Sequence, residues 1–420
     1  MSGPLRVERV DGADPLGALA GEWRALFESS GCRLPFLAVE WAQAWWNHLR
    51  RGGSTTRDSL QLRAIRDAGG ALVAVAPLML TVRPAWSPLR VRQLHFLGAD
   101  GNLTEVRGLL CAPGAEKAVL AALRTDLEAS GGAWDWIHWS GLPPELTEAE
   151  LGADPARLQK LAAREEHVLE MPDNWETFKS NLKRNVRESL RKCYNSLKRD
   201  SHEFTLKVGR APEDVEGALA RLFELHAARA GVTDTIKHRD VFGLPSERSF
   251  MVEVCRAFAA QGRFRSFELV IKDAVVATRV GFQFGKAWYL YYSGYDPKWS
   301  EYSVMTTTLA EALKVAIAEG ITTVSLSTGT DQSKSRWGGK VIPRQEWIQL
   351  RGTGRARMAY RTVESLRTGS WKRSFDFLRP SAGKAAEAKP AEAKAAEAMP
   401  VEPKSAEAKP AEPTDKPKSA

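Results

Sequence analysis

Between Trp288 and Trp337 the chain gathers residue types that can move protons and hold anions. Tyrosines stand at 289, 291, 292 and 295, a carboxylate at Asp331, and cations at Lys334 and Arg336. A phenol is a weak acid, a carboxylate is a base, and a lysine beside them can meet a phosphate or a second carboxylate. Such a set suits proton transfer. Upstream, His226 and Arg229 are spaced to share one side of a helix end. Each group also has an ordinary reading. Tyr289, Tyr291 and Tyr292 can be sheet packing, Asp331 after Gly329 can close an Asx-turn, and Lys334 can be a solvated loop cation. A single helical histidine such as His226 can be structural.

These groups need elements to position them. Trp288–Tyr292 is aromatic and β-prone and predicts a buried strand. Gly294 and Asp296-Pro297 end it with turn chemistry. Ser303 suits the N-cap of a helix over Val304–Glu319. Met305, Leu309, Leu313, Ala316 and Ile317 give that helix an apolar face at spacings of three and four. Gly320 stands where a C-cap glycine belongs, and Ile321–Ser327 predicts a second strand. Strand, helix and strand make a parallel crossover unit. Ligands of such units lie at the carboxyl ends of the strands, where helix N-termini point. Tyr295, Asp296, Asp331 and Lys334 fall there.

The rest of the chain shows the same order of parts twice. Residues 12–50 read as helical, with Trp23, Leu26 and Phe27 on one face and Trp41, Trp45 and Trp46 on another. Leu62–Val82 reads as a hairpin around Asp67-Ala-Gly-Gly70. Short strands follow at Gln93–Gly98 and Val106–Cys111, then a helix over Pro113–Ser130 stopped by Gly131-Gly132, then a strand at Trp134–Trp139. The second pass has helices at Trp175–Arg199, Ala211–Ala230 and Phe250–Ala260. A hairpin of Phe264–Ile271 and Ala274–Phe284 leads into the unit described above. Ile65-Arg-Asp-Ala-Gly-Gly-Ala resembles Ile271-Lys-Asp-Ala-Val-Val-Ala, which suggests duplication of a domain. Gly338–Leu350 reads as a last strand. The expected division is 1–168, 169–350, a basic helical extension over 351–379 containing Trp371, Phe375 and Phe377, and a tail over 380–420. The tail repeats Lys-Pro-Ala-Glu-Ala variants and has almost no large apolar residues, so disorder is expected.

The net charge of +9 is concentrated. Lys179–Arg199 holds eight basic residues and one glutamate, and Arg351–Arg379 holds eight against two carboxylates. Such segments attract phosphates, nucleic acid or anionic membrane. In the first of them Phe178, Leu182, Val186, Leu190, Cys193 and Leu197 form an apolar stripe. The four cysteines are scattered singly, and neither a metal site nor a disulfide framework is expected. Met1–Pro15 is polar and no apolar run is long enough to span a bilayer, so a cytoplasmic protein is expected.

Taken together, these parts resemble the GNAT acyltransferases. More narrowly they resemble the CelD/BcsL-type proteins of bacterial polysaccharide clusters, relatives of the FemABX aminoacyltransferases. The matching pieces are Asn181-Leu-Lys-Arg-Asn-Val-Arg, Leu225-His226-Ala-Ala-Arg229, Tyr292-Ser-Gly-Tyr-Asp-Pro and Gly329-Thr-Asp-Gln-Ser-Lys334-Ser-Arg-Trp337. The resemblance spans about residues 15–350. It implies an α/β (α+β) fold of tandem GNAT-like domains, each a mixed twisted sheet flanked by helices, with the second domain catalytic. It implies acyl-CoA (acetyl-CoA) as co-substrate, with Ser293, Gly294, Ser303, Val304 and Met305 around it. Asp331, Tyr292 and Tyr295 would be catalytic, Tyr292 or Tyr295 protonating a leaving thiolate and Asp331 acting as base or orienting the amine. His226, Arg229, Lys334, Arg336 and Trp337 would bind the acceptor. By the same resemblance the acceptor is a sugar-nucleotide, lipid-linked or polysaccharide amine. The run Ser303-Val-Met-Thr-Thr lacks the glycine the family often has where a carrier pyrophosphate approaches. An aminoacyl-tRNA donor is therefore a second expectation. A third is a degenerate family member that binds nucleic acid or a membrane surface through its basic helices.

Overall fold

The computed structural model describes residues 4–87, 90–100, 102–130, 134–151, 154–232, 239–329 and 331–368. The Gly131-Gly132 stop, the extension beyond residue 368 with its aromatic residues, and the tail lie outside the described residues. The first half runs β1 (Arg6–Arg9), α1 (Pro15–Ser29), α2 (Val39–His48), β2 (Arg57–Leu60), β3 (Arg63–Arg66), β4 (Leu72–Ala76), β5 (Leu78–Arg83), β6 (Val91–Phe96), β7 (Leu110–Cys111), α3 (Glu116–Ala129), β8 (Trp136–Leu142), α4 (Glu148–Leu151) and β9 (Leu158–Lys160). The second half runs β10 (Arg164–Glu170), α5 (Trp175–Asn181), α6 (Arg184–Arg199), β11 (Phe204–Gly209), α7 (Asp214–Ala230), α8 (Pro245–Ala260), β12 (Phe264–Ile271), β13 (Ala274–Phe284), β14 (Ala287–Tyr295), α9 (Val304–Ala318), β15 (Thr323–Thr328), α10 (Gln332–Ser335), β16 (Lys340–Leu350) and α11 (Gly354–Thr368).

Both predicted hairpins form, but the first is cut. β3 pairs antiparallel with β4, and Pro77 then interrupts the apolar run. Proline cannot donate to a ladder, so the chain changes sheets there. β4 stays in a four-stranded sheet ordered β1-β3-β4-β7, while β5 enters a twelve-stranded one. The second hairpin turns at Lys272 and Asp273, both with positive φ (49° and 66°), as a tight two-residue turn requires. Val106–Leu109 is not strand; only Leu110–Cys111 pairs.

The large sheet runs β11-β12-β13-β14-β15-β10-β16-β8-β6-β5-β2, with β9 also on β16. Its order repeats the sequence duplication. β14 and β15 are parallel and joined through α9, and β6 and β8 are parallel and joined through α3. β16 does more than close its own half. It pairs antiparallel with β10 and β9 along one edge and with β8 along the other. The expected division at residue 168 falls within β10.

The halves also share a core. Phe36 and Trp41 of the first half meet Tyr289, Tyr291, Phe250 and Phe282 of the second, ring against ring at 5.1–6.3 Å. On the other face of the sheet α9 buries Leu309, Leu313 and Ala316, as its periodicity predicts. Gly320 takes the left-handed conformation (φ +68°) after that helix. The amide of Ile321 then reaches back to the carbonyl of Ala316 at 2.9 Å. The apolar stripe of the basic segment is buried too, against α9 and the sheet. The basic segment breaks into α5 and α6 around Leu182-Lys183.

Candidate active site

β14 and β15 pair only at Ala287↔Thr323, Trp288↔Val324 and Tyr289↔Ser325. Both strands continue beyond that point, β14 to Tyr295 and β15 to Thr328. A slot therefore opens between their carboxyl ends. Its cause is local. Against β13 the register jumps from Leu290↔Gly281 to Ser293↔Arg279, so Tyr291 and Tyr292 together oppose Val280. Two residues opposite one is a β-bulge, which bends the strand and sharpens its twist. The bulge also brings two successive side chains to one side. The rings of Tyr291 and Tyr292 lie 4.4 Å apart, edge to face.

The base of the slot is filled from the first half of the chain. The Tyr291 hydroxyl donates to the Leu103 carbonyl, and that of Tyr292 to the Asn102 carbonyl at 3.0 Å. The Tyr289 hydroxyl donates to Glu105 at 2.5 Å. From the opposite strand the Ser327 hydroxyl and the Thr328 amide donate to the same carboxylate at 2.8 and 3.3 Å. Glu105 is buried, and it ties the two strands together at the point where they part. Ser327 sits at φ +75°, a conformation uncommon for any residue with a side chain. Its bond to Glu105 helps to hold it there. Burial pushes the Glu105 carboxyl up, against the pull of Tyr289, Lys334, Ser327 and Thr328.

The charged rim gathers several of the expected residues. Lys334 donates to the Thr328 carbonyl and lies 3.3 Å from Asp331. Burial alone would raise the Asp331 carboxyl, but the Ser333 hydroxyl and the Lys334 ammonium outweigh it and hold it below its ordinary value. Arg279, register partner of Ser293, makes no hydrogen bond among the described residues, and its Nε is shut off from solvent. Burial, then the nearby charge of Arg229, lowers its guanidinium to about 10, while Asp331 pulls the other way. A half-buried cation without a hydrogen-bonding partner among the described residues is a place for an anion.

On the far side, the ring of His226 stands edge-on to Tyr292 at 5.7 Å, and its Nδ1 is 3.2 Å from Asp240. Burial lowers its pKa, with Asp240 opposing. Arg229 lies over the Tyr295 ring at 5.8 Å. A Cβ on Gly294 would come within 2.5 Å of the His226 amide nitrogen. Glycine there lets α7 lie directly on β14.

The remaining expected residues face elsewhere. Arg336 turns to α6 and bonds the Ser189 hydroxyl at 2.8 Å. Trp337 is buried in the core beneath α9. Ser303 precedes α9 as expected but is left-handed (φ +51°), and its side chain makes no capping bond. It meets the Cys193 thiol instead. Val304 is buried and Met305 packs beside it with Leu197 of α6. The start of α9 is thus overlain by α6.

Glu105 and Arg279 are additions that sequence reasoning missed. Arg279 had a signal, a lone cation inside an apolar strand sequence. Glu105 had a fainter one, a carboxylate between Leu103 and Val106.

Residues 184–335 match the family model of an acetyltransferase (GNAT) domain. The crystal structure of FemX superposes with a TM-score of 0.56 at 12% identity, over 85% of this chain and 100% of that one. A conserved protein of unknown function from Bacteroides thetaiotaomicron VPI-5482 gives 0.50 at 14% identity, over 82% and 100%. The C-terminal domain (DUF2156) of a putative lysylphosphatidylglycerol synthetase from Agrobacterium fabrum gives 0.48 at 12%, over 84% and 97%. At such identities the likeness is one of fold. No curated protein matches the sequence.

Proposed function

We propose, from the premise that this chain is an acyltransferase of the GNAT superfamily with the fold of FemX, that it moves an acyl group from acyl-CoA to an amine of a sugar or sugar-linked intermediate. The product would serve exopolysaccharide or cell-envelope synthesis, and the reaction would run in the cytoplasm. The observation that supports this most is the parting of β14 from β15 beyond Tyr289 and Ser325. An acyl carbonyl lying along the unpaired edge of β14 can take a hydrogen bond from a backbone amide within Tyr291–Gly294. The amine nitrogen attacks the carbonyl carbon, the C–N bond forms and the bond to the leaving sulfur breaks. Asp331, ionised at neutral pH, orients the amine or takes its proton. Tyr292 or Tyr295 returns a proton to the thiolate. Lys334 and Arg279 hold negative charge on the substrate.

An aminoacyl-tRNA donor is the second reading. It is favoured by α6 lying over the start of α9, where Val304 is buried and no glycine lets a pyrophosphate near the backbone. Purified full chain, amino-sugar acceptors and either labelled acetyl-CoA or charged tRNA separate the two. Label should reach the acceptor from one donor only, and the same donor should raise the melting temperature. Absence of transfer and of stabilisation with both donors would sink the proposal.

A further inference from the structure

A cavity of about 500 Å³ lies on the outer side of α5, α6 and α9. It is not the slot. Lys314 on its wall is ten residues along α9 from Val304, about 15 Å at the usual helical rise. Its charged lining is Lys179, Arg184, Arg187, Arg191 and Lys314 against the single carboxylate Glu188. Arg184 bonds Glu188 at 2.8 Å, and Arg187 donates to the carbonyls of Ser180 and Leu182. Arg191 is exposed and makes no hydrogen bond or ion pair among the described residues. The Lys314 ammonium bonds Glu311 at 2.7 Å and stands between two rings, 5.3 Å from the centroid of Trp175 and 4.9 Å from that of Tyr194. α6 begins at this cavity with no acidic residue in its first turn and no side-chain cap. Its free amides add to the positive field.

We propose that this cavity binds the nucleoside diphosphate part of a substrate. Its size suits a ligand of nucleotide dimensions. The cations suit a diphosphate, and Trp175 and Tyr194, whose faces Lys314 already meets, form the apolar part of the wall beside a nucleoside. A bilayer fits less well, because Val186, Leu190, Cys193 and Leu197 of α6 are buried and leave nothing apolar to insert. The inference rests on the acyl-transfer reading only for what the nucleotide carries. It can belong to the donor, since coenzyme A contains an adenosine diphosphate, or to a nucleotide-linked sugar acceptor.

Calorimetric titration of the full chain with ADP, UDP, coenzyme A and inorganic pyrophosphate, at about 150 mM salt, tests this. At least one nucleotide should bind with one site per chain and more tightly than pyrophosphate. The double variant Arg184→Glu/Arg191→Glu should weaken it about tenfold or more, with an unchanged melting temperature. Lys192→Glu/Lys198→Glu, on the same helix outside the cavity, should change it less than about threefold. Binding of ADP and coenzyme A but not UDP assigns the site to the donor, and the reverse assigns it to the acceptor. Equal loss in both double variants would show only net charge at work and overturn the proposal. So would pyrophosphate binding as tightly as any nucleotide, or silence from every nucleotide. Capture of phosphatidylglycerol vesicles or single-stranded RNA, with nucleotides silent, would overturn it in favour of that partner. Nucleotide binding in a chain that transfers no acyl group would leave this site standing and remove the reading of the slot.

Discussion

Asp331 and Lys334 differ from most of the residues around them in having little to do structurally. Asp331 is half exposed, and its bonds stay within its own turn. Asp331→Ala should therefore lower kcat/KM about a hundredfold while leaving the urea midpoint almost unmoved. A small kinetic effect would remove it from the chemistry. Glu105 is the opposite case. Glu105→Ala strands two hydroxyls and an amide in a buried place, and a loss of about 3 kcal/mol is expected in urea unfolding. Its pH dependence has a definite sign. Folding raises the Glu105 carboxyl above its unfolded value. Its contribution is thus greatest below the unfolded pKa and is lost as pH rises through the folded one. As pH rises from the ordinary carboxylate range through the folded value, the wild-type chain should lose stability relative to Glu105→Gln, which has no proton to release there. Parallel pH profiles would refute the raised carboxyl.

At the scale of elements, the slot depends on two features of β14: its bulge and its glycine. Deleting Tyr292 would remove the bulge while Ser293, Gly294 and Tyr295 keep their partners on β13, so the strand would lose the bend that turns it from β15. Gly294→Ala acts through α7. The added methyl would meet backbone atoms of Leu225 and His226 at 2.5–3.0 Å. Backbone cannot swing aside as a side chain can, so the helix must shift. A loss of about 2–3 kcal/mol is expected, with a KM effect from the displaced His226. A melting temperature equal to wild type would show that α7 has room to move. The elements themselves were largely readable. The second hairpin, α9 and its glycine stop follow from alternation, helical spacing and positive-φ turn residues. The bulge was not, because Trp-Tyr-Leu-Tyr-Tyr reads as an unbroken strand, and only pairing with β13 shows two residues facing one.

The whole molecule is interlocked. β16 passes into the first half to pair with β8, while Phe36 and Trp41 pack on β14 of the second. Glu105 reaches across in the same way. A fragment beginning at Arg164 keeps β10 but loses all three contributions. It should leave β16 with an open edge and Trp347 and Ile348 uncovered. The expected result is an aggregating chain without a cooperative thermal transition, seen by circular dichroism. A soluble fragment melting like the full chain would show that the second half folds unaided. Among the described residues no helix is long and apolar enough to cross a membrane.

Local rules were enough to place strands, helices and turns in their order, to reveal the repeated pattern, and to set Tyr292, His226, Asp331 and Lys334 near strand and helix ends. Each of those signals lies within a few residues of chain, where dihedral preference and side-chain period act. What the tertiary structure decided was how far β14 and β15 stay together, and what fills the gap where they part. Glu105 and Tyr289 are separated by 184 residues. Nothing in the sequence near either one encodes the other, because their meeting is a property of how two half-sheets share a core.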